Sequence, residues 1–146
     1  MKSLLLRSML LAAMAQTSWA APAAPVIDVY KSPTCGCCGK WIDHLEANGF
    51  TVRAHDTADV AQHKHRLGIP SEYTSCHTAE LAGYAIEGHV PARDIKRLLR
   101  EKPQARGLAV PGMPIGSPGM EQGARKDPYA VLLVNPNGSA RTFSRY

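Results

Sequence analysis

The chain is 146 residues long and carries 17 Lys and Arg against 12 Asp and Glu. That length accommodates one domain with a real core and not two ordinary ones. The basic excess is mild and scattered, gathering only at Lys96, Arg97, Arg100 and Lys102 with few aromatic residues nearby for base stacking; a solvated helix face explains it, and no nucleic-acid partner is expected.

The first segment reads as a targeting signal. Lys2 and Arg7 supply positive charge, an apolar stretch covers residues 4–15, and Ser18-Trp19-Ala20 fits the small-x-small pattern of a cleavage site. Cleavage is expected between Ala20 and Ala21, with a cut after Ala23 as second choice and an uncleaved anchor as the alternative. The stretch is too short to span a bilayer comfortably, and no later segment approaches that length. The expectation is a signal peptide over residues 1–20 and an exported, soluble domain over residues 21–146.

After an extended lead-in over residues 22–25, Val26-Ile27-Asp28-Val29-Tyr30 is β-rich and largely apolar, a buried strand. A loop carries the first cysteines. A helix is expected from Cys37 or Cys38 to about Asn48, with Trp41, Ile42 and Leu45 on one face and Asn48-Gly49 as its stop. Residues 50–55 alternate and read as a second strand. Thr57 or Asp59 caps a helix running to Leu67, which Gly68 and Pro70 end. Residues 71–80 are ambiguous, and residues 81–86 contain a strand. Pro91 suits the first turn of a third helix with Ile95, Leu98 and Leu99 as its apolar face. Residues 106–126, rich in Gly and Pro, read as a long irregular loop of the kind that is functional or disordered. Residues 130–134 and 140–143 form a hairpin across Asn135-Pro136-Asn137-Gly138.

The expected order is β-α-β-α-β-α-β-β, an α/β single domain with a mixed sheet and flanking helices. A strand, a cysteine-bearing loop, a helix, a second strand and a closing hairpin resemble the thioredoxin fold. On that reading residues 130–143 are the closing hairpin, Asp127-Pro128-Tyr129 stands where a proline precedes a strand near the cysteines, and the fold lacks its terminal helix.

Cys35-Gly36-Cys37-Cys38 holds three of the four cysteines, between a strand and a helix start. A helix N-terminus exposes unpaired amides and a partial positive charge, which favour thiolate, the nucleophilic and metal-binding form. Cys35 and Cys38 have the C-x-x-C spacing of a redox pair; Cys35 and Cys37 can pinch one ion. Four cysteines in an exported chain would ordinarily mean two disulfides. Clustered cysteines close almost no loop, so at most one of them usefully staples to Cys76. Cys76 is open to three roles: a staple, a resolving thiol, or a fourth sulfur. His77, beside it, becomes a candidate ligand by that adjacency.

Pro111-Gly112-Met113 recurs as Pro118-Gly119-Met120. Pro and Gly on either side hold each thioether off the chain, and thioether suits Cu(I) rather than Zn, Mg or Ca. The plainer alternative is that Met113 and Met120 cover core beneath the loop. His89, at a strand–helix junction, is a further ligand candidate. His63 and His65, two apart on a helix, belong to a solvated face; His44 and His55 read as structural or surface residues. No phosphate loop, nucleophile elbow, His-Glu-x-x-His element or paired-carboxylate pattern is present, so hydrolase chemistry has no footing.

Together, Cys35-Gly36-Cys37-Cys38-Gly39-Lys40-Trp41, Ser75-Cys76-His77-Thr78, Glu87-Gly88-His89-Val90-Pro91 and residues 111–121 resemble the small periplasmic C-x-C-C copper-resistance family, CopG-type. The resemblance implies a thioredoxin-like domain that binds copper through Cys35, Cys37, Cys38 and Cys76, with His77, His89, Met113 and Met120 following. It implies a periplasmic role in copper tolerance beside efflux or chaperone proteins, and redox cycling between Cu(I) and Cu(II). Independently, crowded thiolates, thioethers and export favour soft Cu(I). Zinc is the chemical rival, since four cysteines make a closed tetrahedral site; zinc, however, does not account for three sulfurs within four residues, which suit bridging of more than one copper ion. The rival activity is thiol–disulfide exchange with Cys35 and Cys38 as the catalytic pair, and a third reading is a disulfide-stapled module without free thiols.

Overall fold

The computed structural model describes residues 25–146. The expected signal peptide and its cleavage site lie outside the described residues. Ile27 and Val29 alternate inward along strand β1 (Val26–Lys31), where both are fully buried. Helix α1 (Gly36–Ala47) follows, one residue earlier than the sequence suggests, with Cys35 as its N-cap residue. Trp41 and Leu45, four apart and so on one helical face, are both fully buried. Strand β2 (Thr51–Asp56) returns parallel to β1. Helix α2 (Val60–Arg66) is capped by Asp59, whose Oδ1 accepts from the Gln62 amide at 2.9 Å.

The ambiguous segment resolves into a 3₁₀ turn (Ser71–Tyr73) and strand β3 (Thr78–Leu81), paired antiparallel with strand β4 (Tyr84–Glu87). The single strand expected over residues 81–86 is therefore a tight hairpin. Its two turn residues, Ala82 and Gly83, have φ of 50° and 83°, the doubly left-handed turn whose twist matches paired strands. Ala at the first turn position carries no turn signal, which is why the hairpin reads as one strand. Helix α3 (Ala92–Glu101) starts after Pro91 and buries Ile95 and Leu98 in the same core as Trp41 and Leu45. Strand β5 (Gly107–Ala109) lies inside the stretch expected to be irregular; strands β6 (Ala130–Val134) and β7 (Ala140–Arg145) form the C-terminal hairpin. Three residues are too few to show a period, and the surrounding Gly and Pro mask them.

The seven strands form one mixed sheet in the order β2-β1-β3-β4-β5-β6-β7. The thioredoxin-like unit is β1 to α3. Its closing hairpin is β3–β4 and its terminal helix is α3, so both expectations drawn from the last hairpin are corrected: β6–β7 extends the sheet beyond the unit. The segment entering β3 is Ser75-Cys76-His77, not Asp127-Pro128-Tyr129. No cis peptide bond occurs among the described residues.

This topology gathers the motifs at one end of the sheet. β1 pairs antiparallel with β3 through Tyr30 and Thr78, so the loop after Lys31 and the residues before Thr78 share an edge. Thr78 pairs with Glu87, which brings Gly88 and His89 to that edge. Glu87 pairs in parallel with Ala109, so the Pro-Gly-Met loop departs from there too. Among the described residues no helix is long and apolar enough to cross a membrane.

Candidate metal centre

At the start of α1 the four cysteine sulfurs lie within 4.8 Å of one another. Cys35 and Cys38 are joined as a disulfide, while Cys37 and Cys76 are free thiols. Cys37 Sγ stands 3.5 Å from Cys35 Sγ and 3.9 Å from Cys76 Sγ; Cys76 Sγ is 3.5 Å from Cys38 Sγ. Local spacing explains the first pairing. One helical turn after Cys35, Cys38 returns to the same side of the chain, whereas Cys37 points about 100° away and stays free. A disulfide between Cys76 and the cluster, one of the three roles open to Cys76, is not formed.

Two histidines complete the group. His77 Nδ1 and His89 Nε2 approach Cys76 Sγ at 3.3 Å and 3.2 Å. Both rings are fully buried. His89 Nδ1 lies 2.8 Å from the Pro118 carbonyl. A carbonyl can only accept, so Nδ1 carries the proton and Nε2 presents a bare lone pair toward the sulfur. His77 Nε2 is buried with no hydrogen-bond partner. The indole of Trp41 covers that ring at 4.4 Å between centroids, tied by its own Nε1, which donates to the Val90 carbonyl at 2.9 Å.

Burial governs the charge states. It holds His77 well below its ordinary pKa, and the basic groups of His89 and Lys64 nearby add to the effect. It lowers His89 as well, against the opposing pull of the Pro118 carbonyl. Both imidazoles are therefore neutral, the form that binds metal. Burial also pushes the Cys76 thiol up to about 11, and Cys37 beside it adds to the push. A metal ion would take the proton's place on Cys76.

The donor set fits a soft or borderline ion. Cys76 Sγ is the hub, with the Cys37 thiol and the two neutral imidazoles 3.2–3.9 Å from it, separations close to the edges of a tetrahedron with bonds of about 2.0–2.3 Å. Cys76 is shared by the four-sulfur group and by a Cys76, His77, His89 group. Reduction of the Cys35–Cys38 bond adds two more sulfurs at the same spot. No carboxylate belongs to either ligand group, which disfavours hard cations.

The Pro-Gly-Met loop reaches this site by its backbone. Pro118 supplies the carbonyl for His89, and the Gly112 carbonyl accepts from Ser75 Oγ. Gly119 packs so closely on α1 that a Cβ there would stand 2.7 Å from Trp41 N and 2.9 Å from the Cys37 carbonyl oxygen. Met113 is exposed and Met120 half-buried. The other histidines stay apart: His44 Nε2 accepts from the Ala92 amide at 3.1 Å, and His55 pairs with Asp28. His65 is exposed, as expected of a solvated face. His63 departs from that expectation, lying half-buried with its ring stacked on Tyr30 at 3.9 Å.

Three contributors escape a reading of the sequence. Trp41 reads there only as core. Lys64 carries no signal, and Glu87 opens the Glu87-Gly88-His89-Val90-Pro91 motif without a role of its own, although an acidic residue ending the apolar run Ala85-Ile86-Glu87 is the kind of local misfit that flags a site.

A family profile described as "Protein of unknown function, DUF411" matches residues 73–120. None of the curated proteins compared with the chain matches it. Two solved structures do. Copper resistance protein CopG in form 2 is 50% identical over 84% of this chain and 98% of its own, with a TM-score of 0.81. Form 1 is 51% identical over 83% of this chain and 96% of its own, with a TM-score of 0.79. Identity at this level across nearly the whole of both relatives, on one shared fold, makes the chain a member of the CopG copper-resistance family.

Proposed function

We propose that this protein is an exported, periplasmic copper-binding protein that takes up more than one Cu(I) through clustered thiolates and contributes to copper tolerance. The observation that carries the proposal is the convergence of four cysteine sulfurs, with His77 and His89 set against Cys76. Thiolate and imidazole together suit copper, and thiolates this crowded bridge ions rather than enclose a single one. Zinc remains the chemical competitor for the same donors. Export rests on the sequence of residues 1–20, and it would place the protein beside copper efflux or chaperone proteins.

A redox role follows from the same atoms. Forming the Cys35–Cys38 disulfide from two thiols releases two electrons and two protons. Two Cu(II) ions accept those electrons to become two Cu(I). The reverse step needs Cu(I) as the donor and returns Cu(II). The cluster would thus change its sulfur count as copper changes oxidation state. Met113 and Met120, on the loop beside the site, serve as transient thioether contacts during loading or release.

The test is anaerobic Cu(I) titration of the fully reduced protein against a chromophoric chelator. More than one ion per chain is expected; a firm endpoint at one ion or fewer would contradict the multi-copper reading. One observation favours a second reading, thiol–disulfide exchange: the disulfide sits at the N-terminus of α1 with C-x-x-C spacing. Wild-type protein that reduces disulfides yet shows no copper affinity would replace the first reading with the second.

A further inference from the structure

Beneath the cysteine cluster lies a buried ion pair that the ligand set does not use. Glu87, the last residue of β4, is fully buried, and Lys64 of α2 has a side chain only 12% exposed. Lys64 Nζ donates to Glu87 Oε1. The same carboxylate oxygen accepts from the Ser75 amide at 2.6 Å. Lys64 Nζ also donates to the His77 carbonyl at 3.1 Å, which receives the Gly88 amide at 3.2 Å as well. The pair thus grips the backbone on both sides of Cys76.

A buried ion pair is a poor way to add stability. Removing two charges from water costs several kcal/mol per ion, and apolar replacements are often neutral or better. Here the pair has a directional task. Residues 74–77 are neither helix nor strand, so no ladder fixes their peptide planes. Apolar packing alone is non-directional and would let the segment slide. Charge-assisted hydrogen bonds to one amide and one carbonyl set its register.

We propose that Lys64 and Glu87 are positioning residues for the copper site: they hold the Ser75–His77 backbone so that Cys76 Sγ and His77 Nδ1 face the sulfurs of α1. This rests on the copper-binding reading above for its purpose, though not for its geometry. Groups that orient metal ligands typically change affinity about 10–100-fold when removed, and the same range is expected here.

The experiment uses the full chain with Lys64→Met, Glu87→Gln and the double variant Lys64→Met/Glu87→Met, the last to avoid leaving one buried charge alone. Two quantities are read. Cu(I) affinity of the reduced protein is measured by chelator competition. Separately, iodoacetamide alkylation of Cys76 is timed in metal-free, oxidised protein in a Cys37→Ser background, where Cys76 is the one free thiol. The expected result is about tenfold or greater loss of Cu(I) affinity, together with several-fold faster alkylation, in a double variant whose melting temperature stays near wild type. Unchanged affinity or an unchanged alkylation rate in a folded variant overturns the proposal. A double variant that does not fold overturns it too, since the pair would then be a general stability element. Should wild-type protein show no Cu(I) affinity while the variants still alkylate faster, the copper reading fails and the role proposed here for the pair in a copper site fails with it; unchanged alkylation with wild-type copper binding intact removes the positioning role alone.

Discussion

Cys76 Sγ lies 3.5 Å from Cys38 Sγ although 38 residues separate them along the chain. Antiparallel pairing of β1 with β3 puts the end of one strand beside the start of the other, and α1 begins immediately after the first. The sulfur cluster is therefore a property of the sheet register. A one-residue slip would reverse every side chain of β3 and carry the preceding segment with it.

Cys37 is central to that cluster while standing outside the disulfide. Cys37→Ser is expected to lower Cu(I) affinity at least about tenfold, the scale of losing one thiolate from a shared site, and to leave the Cys35–Cys38 bond able to form. Chelator competition alongside an insulin-reduction assay separates the two activities. Full copper binding in this variant, with altered reductase rates, would favour the thiol–disulfide enzyme.

Thiol counting distinguishes the cluster from a stapled module. Native, metal-free protein should show two reactive thiols, Cys37 and Cys76, in denaturant before reduction and four after it. A count of zero before reduction would mean that Cys76 pairs with the cluster after all.

Gly119→Ala tests how tightly the loop is seated on α1. The residue has φ of +85°, and an added Cβ would meet Trp41 N and the Cys37 carbonyl. A loss of about 1–3 kcal/mol in unfolding free energy is expected from backbone strain and overpacking. Displacing Pro118 would also release His89 Nδ1, so copper affinity should fall with stability. Thermal and denaturant unfolding, followed by Cu(I) titration, check both.

Met113→Ala and Met120→Ala address the thioethers. If these side chains pass copper in or out, the double variant should exchange Cu(I) with a chelator several-fold more slowly at unchanged melting temperature. A double variant that melts markedly lower would show that the methionines pack the loop instead.

Acid stability has an independent signature away from the metal centre. Hydrogen bonds from Arg53 and then His55 hold the Asp28 carboxyl down to about 2. A carboxyl depressed in the folded state stabilises above its unfolded value and loses that contribution as pH falls through its folded value. The loss should run from about pH 4 to about pH 2. Because Arg53 is largely exposed, solvent screening limits the effect to about 1 kcal/mol or less. Asp28→Asn should flatten this limb in denaturant titrations at fixed ionic strength. An unchanged acid limb would show that the Asp28 pair adds nothing measurable.

Much of the site can be read from local chemistry. Three cysteines in four residues, Cys76 beside His77, and His89 between a strand and a proline are patterns short enough for adjacency to carry meaning. The C-x-x-C pair is connected as its spacing suggests, because a helical turn returns Cys38 toward Cys35. The most legible elements are those with clear periodicity and punctuation, such as β1, α1 with its Asn48-Gly49 stop, and the β6–β7 hairpin with its Asn-Gly turn. The hairpin at Ala82-Gly83 and the three-residue β5 escape because neither carries the turn residues or the length from which a period is read.

Residue types and spacing by themselves determined which atoms could bind a soft metal, since donor chemistry belongs to each side chain wherever it lies. Only the tertiary structure decided which of them meet. Strand pairing turned Cys76, His77 and His89 toward the start of α1, left the Met113 side chain in solvent, and recruited the Pro118 carbonyl, Trp41, Lys64 and Glu87. Those choices depend on long-range register and on backbone groups present in every residue, which no local pattern encodes.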